Sequence, residues 1–194
     1  MSIGTLEVRT AAGRLECRTA NGTVTFAGIA SSVDSPYDMG GYTEIVRAGA
    51  FTETLASDPD VMCLVAHAGL PIARTRNGSL KLSETPKGLE FEAVADVSDP
   101  DVAQLASKVR AELLTEASFA FRVTDQQWNS DRTQREIRAV DLHRGDVSLC
   151  PYGANPNTSV VARSLARQYG RSKPNLDTYR ARAWTYGLRT RGHR

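Results

Sequence analysis

The sequence predicts a mostly β domain with flanking helices, arranged as a mostly antiparallel barrel or sandwich. About seven or eight short segments alternate apolar and polar residues, whereas about two or three show helical spacing. The strand segments cluster instead of alternating with helices, which argues against a parallel sheet built from βαβ units. Hydrophobic residues make up 41% of the chain of 194 residues, enough to build a core.

The first part of the chain is predicted to hold two strands and a short helix. Residues 1–20 show weak periodicity and are expected to form a loose leader or a first strand. Residues 23–30 alternate as a strand does, and the turn-rich residues 31–41 predict a loop. A further strand is expected at 42–46, followed by a short helix over 47–57.

The rest of the chain is predicted to form strands around one well-marked helix. An apolar run at 60–66 has the length of a strand and ends just before His67. Asp99 suits a helix N-cap and Pro100 suits the first turn, so a helix is predicted from there to about Leu114. The remaining predicted elements are strands at 79–82, 88–95, 117–123, 135–142 and 146–152 and a closing helix at 158–169.

Composition argues against several classes of protein. No stretch approaches the ~20 apolar residues that span a bilayer, and the polar N-terminus lacks the apolar region of a secretory signal. We therefore expect a cytoplasmic protein without a membrane partner. Cys17, Cys63 and Cys150 form no CxxC pair, so neither a disulfide framework nor a zinc site is indicated. Cys63 and Cys150 lie in apolar surroundings and are expected to be buried.

The chain has an acidic body and a basic end. From residue 163 onwards there are nine Lys or Arg residues and one Asp, a net charge of +8, so the first 162 residues carry −6 of the total +2. The tail is expected to be a solvated terminus or, through electrostatics alone, a site for nucleic acid or an acidic partner. A basic-tailed, DNA-associated protein is therefore one interpretation of the chain.

Few residues can serve as a general base. The histidines are His67, His143 and His193, and imidazole is the usual base near neutral pH. His67 follows a buried strand at its exit into a loop, whereas His193 lies in the tail. Ser118 is surrounded by Ala and Phe residues, and exclusion of water there would favour its activation by a paired base.

An acid or a second histidine could complete a triad with such a pair. Asp141 and Asp146 flank His143, and composition does not choose between these residues. The chain has no GxSxG, HExxH, P-loop or GxGxxG motif, which argues against common α/β hydrolases, zincins and nucleotide-binding enzymes. Because buried serines and histidines are mostly structural, the residues alone support a mostly β domain with a candidate Ser/His pair.

Four short segments follow one another over about residues 25–165. They are EIVRAGAF (44–51), HAGLPIAR with GSLKL and GLEFE (67–92), LLTEASFAFR (113–122), and VDL with DVSLCPYGANP (140–156). In order and approximate spacing, these segments resemble motifs of the tailed-phage prohead serine proteases. The family patterns are E-x-[IV]-x-x-G-A-F, H-x-x-x-P-[IL]-G-R…G-x-L…G-L-x-[FV], S-x-G-F and L-x-E-V-S-x-V…P-A-N-P.

The resemblance implies a fold like that of herpesvirus assemblin, a closed, mostly antiparallel barrel of about seven strands. With it, we divide the chain into a leader at 1–20, a protease domain at 21–165 and the basic tail at 166–194. It implies a serine endopeptidase inside the viral procapsid in the host cytoplasm. Its substrates would be scaffold, the N-terminal scaffolding segment of the major capsid protein, and the protease itself. The active form could be a homodimer.

Carried over by position, the resemblance also assigns the site. Ser118 attacks the scissile carbonyl, His67 takes its proton, and the third member falls best on Asp146, with His143 as the alternative. Backbone N–H groups or Arg122 are candidate donors to the developing oxyanion. No metal or organic cofactor is implied.

The sequence departs from the family pattern at three positions. Ala68 replaces an Asp that often follows the histidine, and Ala73 and Ala120 replace glycines, which removes backbone freedom. Residues 143–145 also lengthen the link before Asp146. These departures keep open a second interpretation, a non-catalytic capsid-interior or scaffold-binding protein with the same fold.

Overall fold

The computed structural model of the protein describes residues 5–11 and 15–151. These residues form eleven strands and two α-helices, with the strands in a seven-stranded and a four-stranded sheet. The predicted closing helix at 158–169 and the basic tail lie outside the described residues. In chain order the elements are β1 (Leu6–Ala11), β2 (Glu16–Ala20), β3 (Thr23–Ser32), β4 (Pro36–Asp38), β5 (Thr43–Val46), α1 (Thr52–Ala56), β6 (Met62–Val65), β7 (Ala68–Arg74), a 3-10 turn (Thr75–Asn77), β8 (Leu80–Thr85), β9 (Gly88–Asp96), α2 (Pro100–Arg110), β10 (Glu116–Trp128) and β11 (Gln134–Cys150).

The larger sheet is built on a long antiparallel hairpin of β10 and β11. Its order is β1-β10-β11-β5-β4, and β6 with β7 forms a second branch from β11. β5 and β6 run parallel to β11, whereas the other pairs in this sheet are antiparallel. The smaller sheet has the antiparallel order β2-β3-β9-β8. The predicted class, mostly β and mostly antiparallel, is therefore confirmed.

Aromatic side chains from the larger sheet lie at the centre of the core. Period-two alternation along β10 sends Phe119 and Phe121 to the core face, where their rings stack at 4.4 Å. Phe51, the last residue of the EIVRAGAF segment, meets Phe119 edge to face at 5.7 Å. Phe26 of the smaller sheet belongs to the same buried cluster. The aromatic position of that motif therefore has a packing role.

Most of the predicted strands are present, but the structure also has strands that were not predicted. The loop predicted over 31–41 contains β4, and β7 begins directly after His67, where a loop was expected. Residues 1–20, expected to form a loose leader or a first strand, contain two strands, β1 in the larger sheet and β2 in the smaller one. Both β1 and β2 are short segments with weak alternation, so their partners, not their own pattern, define them as strands.

Helix α2 starts where the sequence places it and ends earlier, whereas α1 starts five residues later than predicted. Asp99 caps α2 as predicted, because its Oδ1 accepts the N–H of Asp101 at 2.9 Å. The helix ends at Arg110 instead of about Leu114, since Glu112 adopts a left-handed φ of 56°. Helix α1 covers only part of the predicted range 47–57.

The two strands predicted at 135–142 and 146–152 are one strand, β11, interrupted by a bulge. Arg122 of β10 pairs with Asp141, and Ala120 pairs with Asp146. One residue of β10, Phe121, therefore faces residues 142–145 of β11. Such an insertion bends a strand and redirects its side chains without ending it.

The closed barrel of about seven strands is not confirmed. Neither sheet closes on itself among the described strands, because β11 pairs with β10 along one edge and with two strands along the other. Residues Gln134 to Ile137 pair with β5, whereas Asp146 to Leu149 pair with β6. The bulge separates these two halves, so the sheet forks at β11 instead of closing. No helix among the described residues is long and apolar enough to cross a bilayer.

The β10–β11 hairpin is nevertheless strongly bent. Arg9 of β1 pairs with Phe119 of β10, and Arg135 of β11 pairs with Trp128, nine residues further along. In a straight strand nine residues span about 30 Å. Yet Arg9 Nη2 and Arg135 Nη1 both donate to Oε2 of Glu44, each at 2.8 Å. The hairpin must therefore curl, and three register shifts between β10 and β11 permit it.

A buried ionic cluster holds this bend. Glu44, with 0% of its side chain exposed, binds Arg9 and Arg135, and both arginines also bind Glu7 of β1. Burial raises the pKa of Glu7, but the hydrogen bond from Arg135 and the charges of both arginines outweigh it and lower the pKa overall. Glu44 is the first residue of the EIVRAGAF segment, so this position of the motif has a structural role.

Replacing Glu44 by Gln should lower the free energy of unfolding by about 3–5 kcal/mol. The substitution removes the carboxylate charge that the buried guanidinium groups of Arg9 and Arg135 share. Urea denaturation followed by circular dichroism would measure the change. Arg138→Ala is the control, since its pair with Glu136 is exposed and should contribute about 1 kcal/mol or less. Similar losses in the two variants would contradict the assigned role of the cluster.

Candidate active site

The face of the larger sheet opposite the phenylalanines carries a row of small and polar residues. Ser118 of β10 pairs directly with Ser148 of β11, and Ala120 pairs with Asp146. Directly paired residues project to the same face of a sheet, with Cβ atoms about 5 Å apart. Ser118, Ser148 and Asp146 therefore share one face. Ser118 is only 1% exposed.

His67 reaches this face from the turn between β6 and β7. Ala66 and His67 have φ values of 49° and 57°, typical of a tight two-residue hairpin turn, and Val65 pairs with Ala68 across it. Two hydrogen bonds attach the turn to β11: Ala66 N–H donates to the Leu149 carbonyl and His67 N–H donates to Ser148 Oγ, each at 3.0 Å. The turn thus fixes the main chain of His67 beside β11.

The His67 ring connects an acid to a serine. Its Nδ1 lies 2.6 Å from Asp146 Oδ1, and its Nε2 lies 2.8 Å from Ser118 Oγ. An ionised carboxylate can only accept a hydrogen bond, so Nδ1 carries the proton and Nε2 of the neutral ring is free to accept. This tautomer is the one that a general base for Ser118 needs.

The Ser118 hydroxyl has two acceptors for its single proton. Besides His67 Nε2, the carbonyl oxygen of Arg9 in β1 lies 2.7 Å from Oγ. With His67 neutral, donation to Nε2 prepares the serine for deprotonation. With His67 protonated, Nε2 donates to Oγ and the hydroxyl proton turns to Arg9. Protonation of His67 therefore removes the base and reorients the hydroxyl together.

The other predicted site residues lie apart from this chain of contacts. His143 Nδ1 accepts the N–H of Asp60 at 3.2 Å, and Asp141 Oδ1 accepts the His143 N–H at 2.8 Å. Arg122, a candidate oxyanion donor, donates from Nη1 to the His143 carbonyl at 3.0 Å. These residues stabilise the β11 bulge and do not contact His67. His193 lies outside the described residues.

A model of the caudovirus prohead serine protease family matches residues 7–170. The chain belongs to this family. The match begins in β1 and covers His67, Ser118 and Asp146, which confirms the resemblance read from the four sequence segments. The chain is thus a member of a family of serine peptidases of phage capsid maturation. No curated protein and no solved structure matches the chain significantly.

Two of the three residues at which this prohead protease departs from the family pattern, Ala120 and Ala73, have structural explanations. Ala120 is 1% exposed and lies opposite Asp146 on the face that the His67 ring covers, so only a small side chain fits there. Ala73 pairs with Cys63 in an ordinary extended segment of β7, where glycine is not required. Ala68, exposed at the start of β7, occupies the position where an acid often follows the histidine.

Arg74, the last residue of the HAGLPIAR segment, forms a salt bridge with Asp60. Its guanidinium binds both carboxylate oxygens of Asp60, with Nε 2.6 Å from Oδ1. The hydrogen bond from Arg74 lowers the pKa of Asp60 despite the opposing effect of desolvation. Asp60 N–H in turn contacts His143, so this pair connects the start of β6 to the bulge.

Ser148 is the site residue that sequence reasoning missed. The period-two alternation of DVSLC already places it on the same face as Asp146, which is the pattern that could have found it. Its contact with His67 could not be read from the sequence, because the two residues are far apart in the chain.

The buried cysteines near the site are not rival nucleophiles. Cys63 and Cys150 are buried, as predicted. Burial, aided by the charge of Asp146, raises the pKa of both thiols, that of Cys150 to about 12. Because the thiolate is the reactive form, both remain unreactive thiols at neutral pH.

A cleft among the described residues is distinct from this site. It measures about 920 Å³ and is lined by residues of β3, β8 and β9, among them Ile29, Leu82 and Phe91. None of His67, Ser118 and Asp146 lines it. At the candidate site, Ser118 is 1% exposed, whereas the side chains of His67 and Asp146 are 10% and 13% exposed.

Gly145→Ala should destabilise the protein by about 1–3 kcal/mol, because a Cβ at this position would lie 2.1 Å from the Ala120 carbonyl oxygen. Thermal and urea denaturation would measure the loss. Gly41→Ala is the matched control, since a Cβ there has no neighbour within 4 Å. An equally small effect in both variants would show that the bulge does not depend on glycine.

Proposed function

We propose that the chain is a serine endopeptidase with Ser118 as nucleophile, His67 as general base and Asp146 as the residue that orients His67. The observation that carries the proposal is the unbroken chain of hydrogen bonds Asp146–His67–Ser118, with both ring nitrogens engaged at 2.6 and 2.8 Å. Membership of the prohead serine protease family supports the same reaction.

The geometry supports acyl transfer through a seryl intermediate. Ser118 Oγ attacks the scissile carbonyl carbon while His67 Nε2 takes the hydroxyl proton, and Asp146 stabilises the imidazolium that forms. His67 then gives this proton to the leaving amine, and the peptide C–N bond breaks. Water attacks the acyl-enzyme with His67 again as base, which releases the acid product and restores Ser118.

The substrates we propose are the scaffold and the N-terminal scaffolding segment of the major capsid protein, together with the protease itself. The family, whose description is caudovirus prohead serine protease, supports work inside the procapsid in the host cytoplasm. The basic tail, with a net charge of +8 from residue 163 onwards, would bind acidic scaffold or DNA there. A homodimer is a further proposal that this family membership leaves open.

Co-expression with the major capsid protein of the same phage tests the peptidase activity. The wild-type chain should remove a defined N-terminal segment from the capsid protein, and Ser118→Ala should leave it intact, as read by intact-mass spectrometry. Ser107→Ala is the matched control, because Ser107 is exposed on α2 and should process normally. Identical masses in all samples, together with normal shell assembly, would favour a non-catalytic scaffold-binding protein.

The third member of the triad can be tested separately. Asp146→Asn should reduce the cleavage rate by about three to four orders of magnitude, because the amide favours the wrong tautomer of His67. His143→Gln should stay within a few-fold of wild type, since His143 contacts Asp60 and not His67. Cleavage of the capsid protein followed over time measures both. A larger loss in His143→Gln than in Asp146→Asn would overturn the assignment.

A further inference from the structure

Ser148 contacts both halves of the candidate machinery. It lies two residues beyond Asp146 on β11 and is 0% exposed. Its hydroxyl donates to Asp146 Oδ1 at 2.6 Å and accepts the main-chain N–H of His67 at 3.0 Å. The same oxygen of Asp146 lies 2.6 Å from Nδ1 of His67. Ser148, Asp146 and His67 therefore form a closed ring of hydrogen bonds.

The directions of these bonds are fixed by chemistry. A carboxylate can only accept, and a main-chain N–H can only donate, so the Ser148 hydroxyl gives its one proton to Asp146 and receives from His67. No rotation of the hydroxyl satisfies both partners in another way. Alanine at this position would remove both bonds at once and leave a main-chain N–H without that partner.

We propose that Ser148 is a positioning residue, which sets the His67 ring between Asp146 and Ser118 by fixing the main chain and the carboxylate together. The proposal rests on the catalytic roles proposed above for these residues. Ser148 touches no reacting atom. It acts through His67, whose turn carries two residues with positive φ and therefore needs external contacts to hold its shape.

The test compares Ser148→Ala with Ser148→Thr in the full chain, and uses Ser31→Ala as the matched control. Ser31 is equally buried, but its hydroxyl binds the Ser32 carbonyl in the smaller sheet. Ser148→Cys is a second variant that keeps the shape with weaker hydrogen bonds, in case alanine prevents folding. The capsid-protein cleavage rate should fall about 10- to 100-fold in Ser148→Ala, as for other partners that orient a functional histidine. Thr should restore most of the rate.

A readout independent of cleavage is provided by NMR in the Ser118→Ala background. The chain has three histidines, so the signals of His67 can be resolved from those of the other two. In Ser148→Ala the His67 amide should exchange about 3- to 10-fold faster, because its N–H loses the Ser148 acceptor. Ser31→Ala should leave this exchange rate unchanged.

Unchanged amide exchange of His67 would overturn the positioning role, even if cleavage slowed. Unchanged cleavage in an otherwise active enzyme would overturn it as well. If the wild-type chain cleaves no capsid or scaffold protein, the proposed function fails, while the NMR measurements still decide whether Ser148 holds His67.

Discussion

The bend of the β10–β11 hairpin is the constraint on which the rest of the structure depends. A straight hairpin would keep Arg9 and Arg135 about 30 Å apart, yet both bind Glu44. The register shifts between the strands supply the curvature, and the buried ions hold it. Breaking such a cluster is costly because its members cannot regain water without unfolding the sheet around them.

The same bend determines what each half of β11 can do. The bulge at 142–145 separates a half that pairs with β5 from a half that pairs with β6. The second half carries Asp146 and Ser148, and β6 leads directly into the turn that holds His67. Gly145 permits the close approach of the Ala120 carbonyl at this point. The bulge is therefore the element that brings Asp146 next to His67.

The two faces of the larger sheet have separate tasks. On one face, Phe119 and Phe121 pack in the core, with the Arg9 guanidinium 5.7 Å from the Phe121 ring. On the other face, Ser118, Ala120 and Ser148 are small residues that leave room for the imidazole of His67. A strand buried on both faces is rigid, which suits a site in which distances near 2.7 Å must be kept.

Local chemistry in the sequence determined the mostly β class, the Asp99 cap, the burial of Cys63 and Cys150, and the family to which the chain belongs. These features depend on residue type and on neighbours in the chain. The merging of two predicted strands into β11, the strands β4 and β7, and the open, forked sheet were decided by tertiary pairing. So was the position of Asp146, and not His143, beside His67. A bulge shifts register without changing the periodicity on either side, so the sequence pattern alone cannot reveal which side chains it brings together.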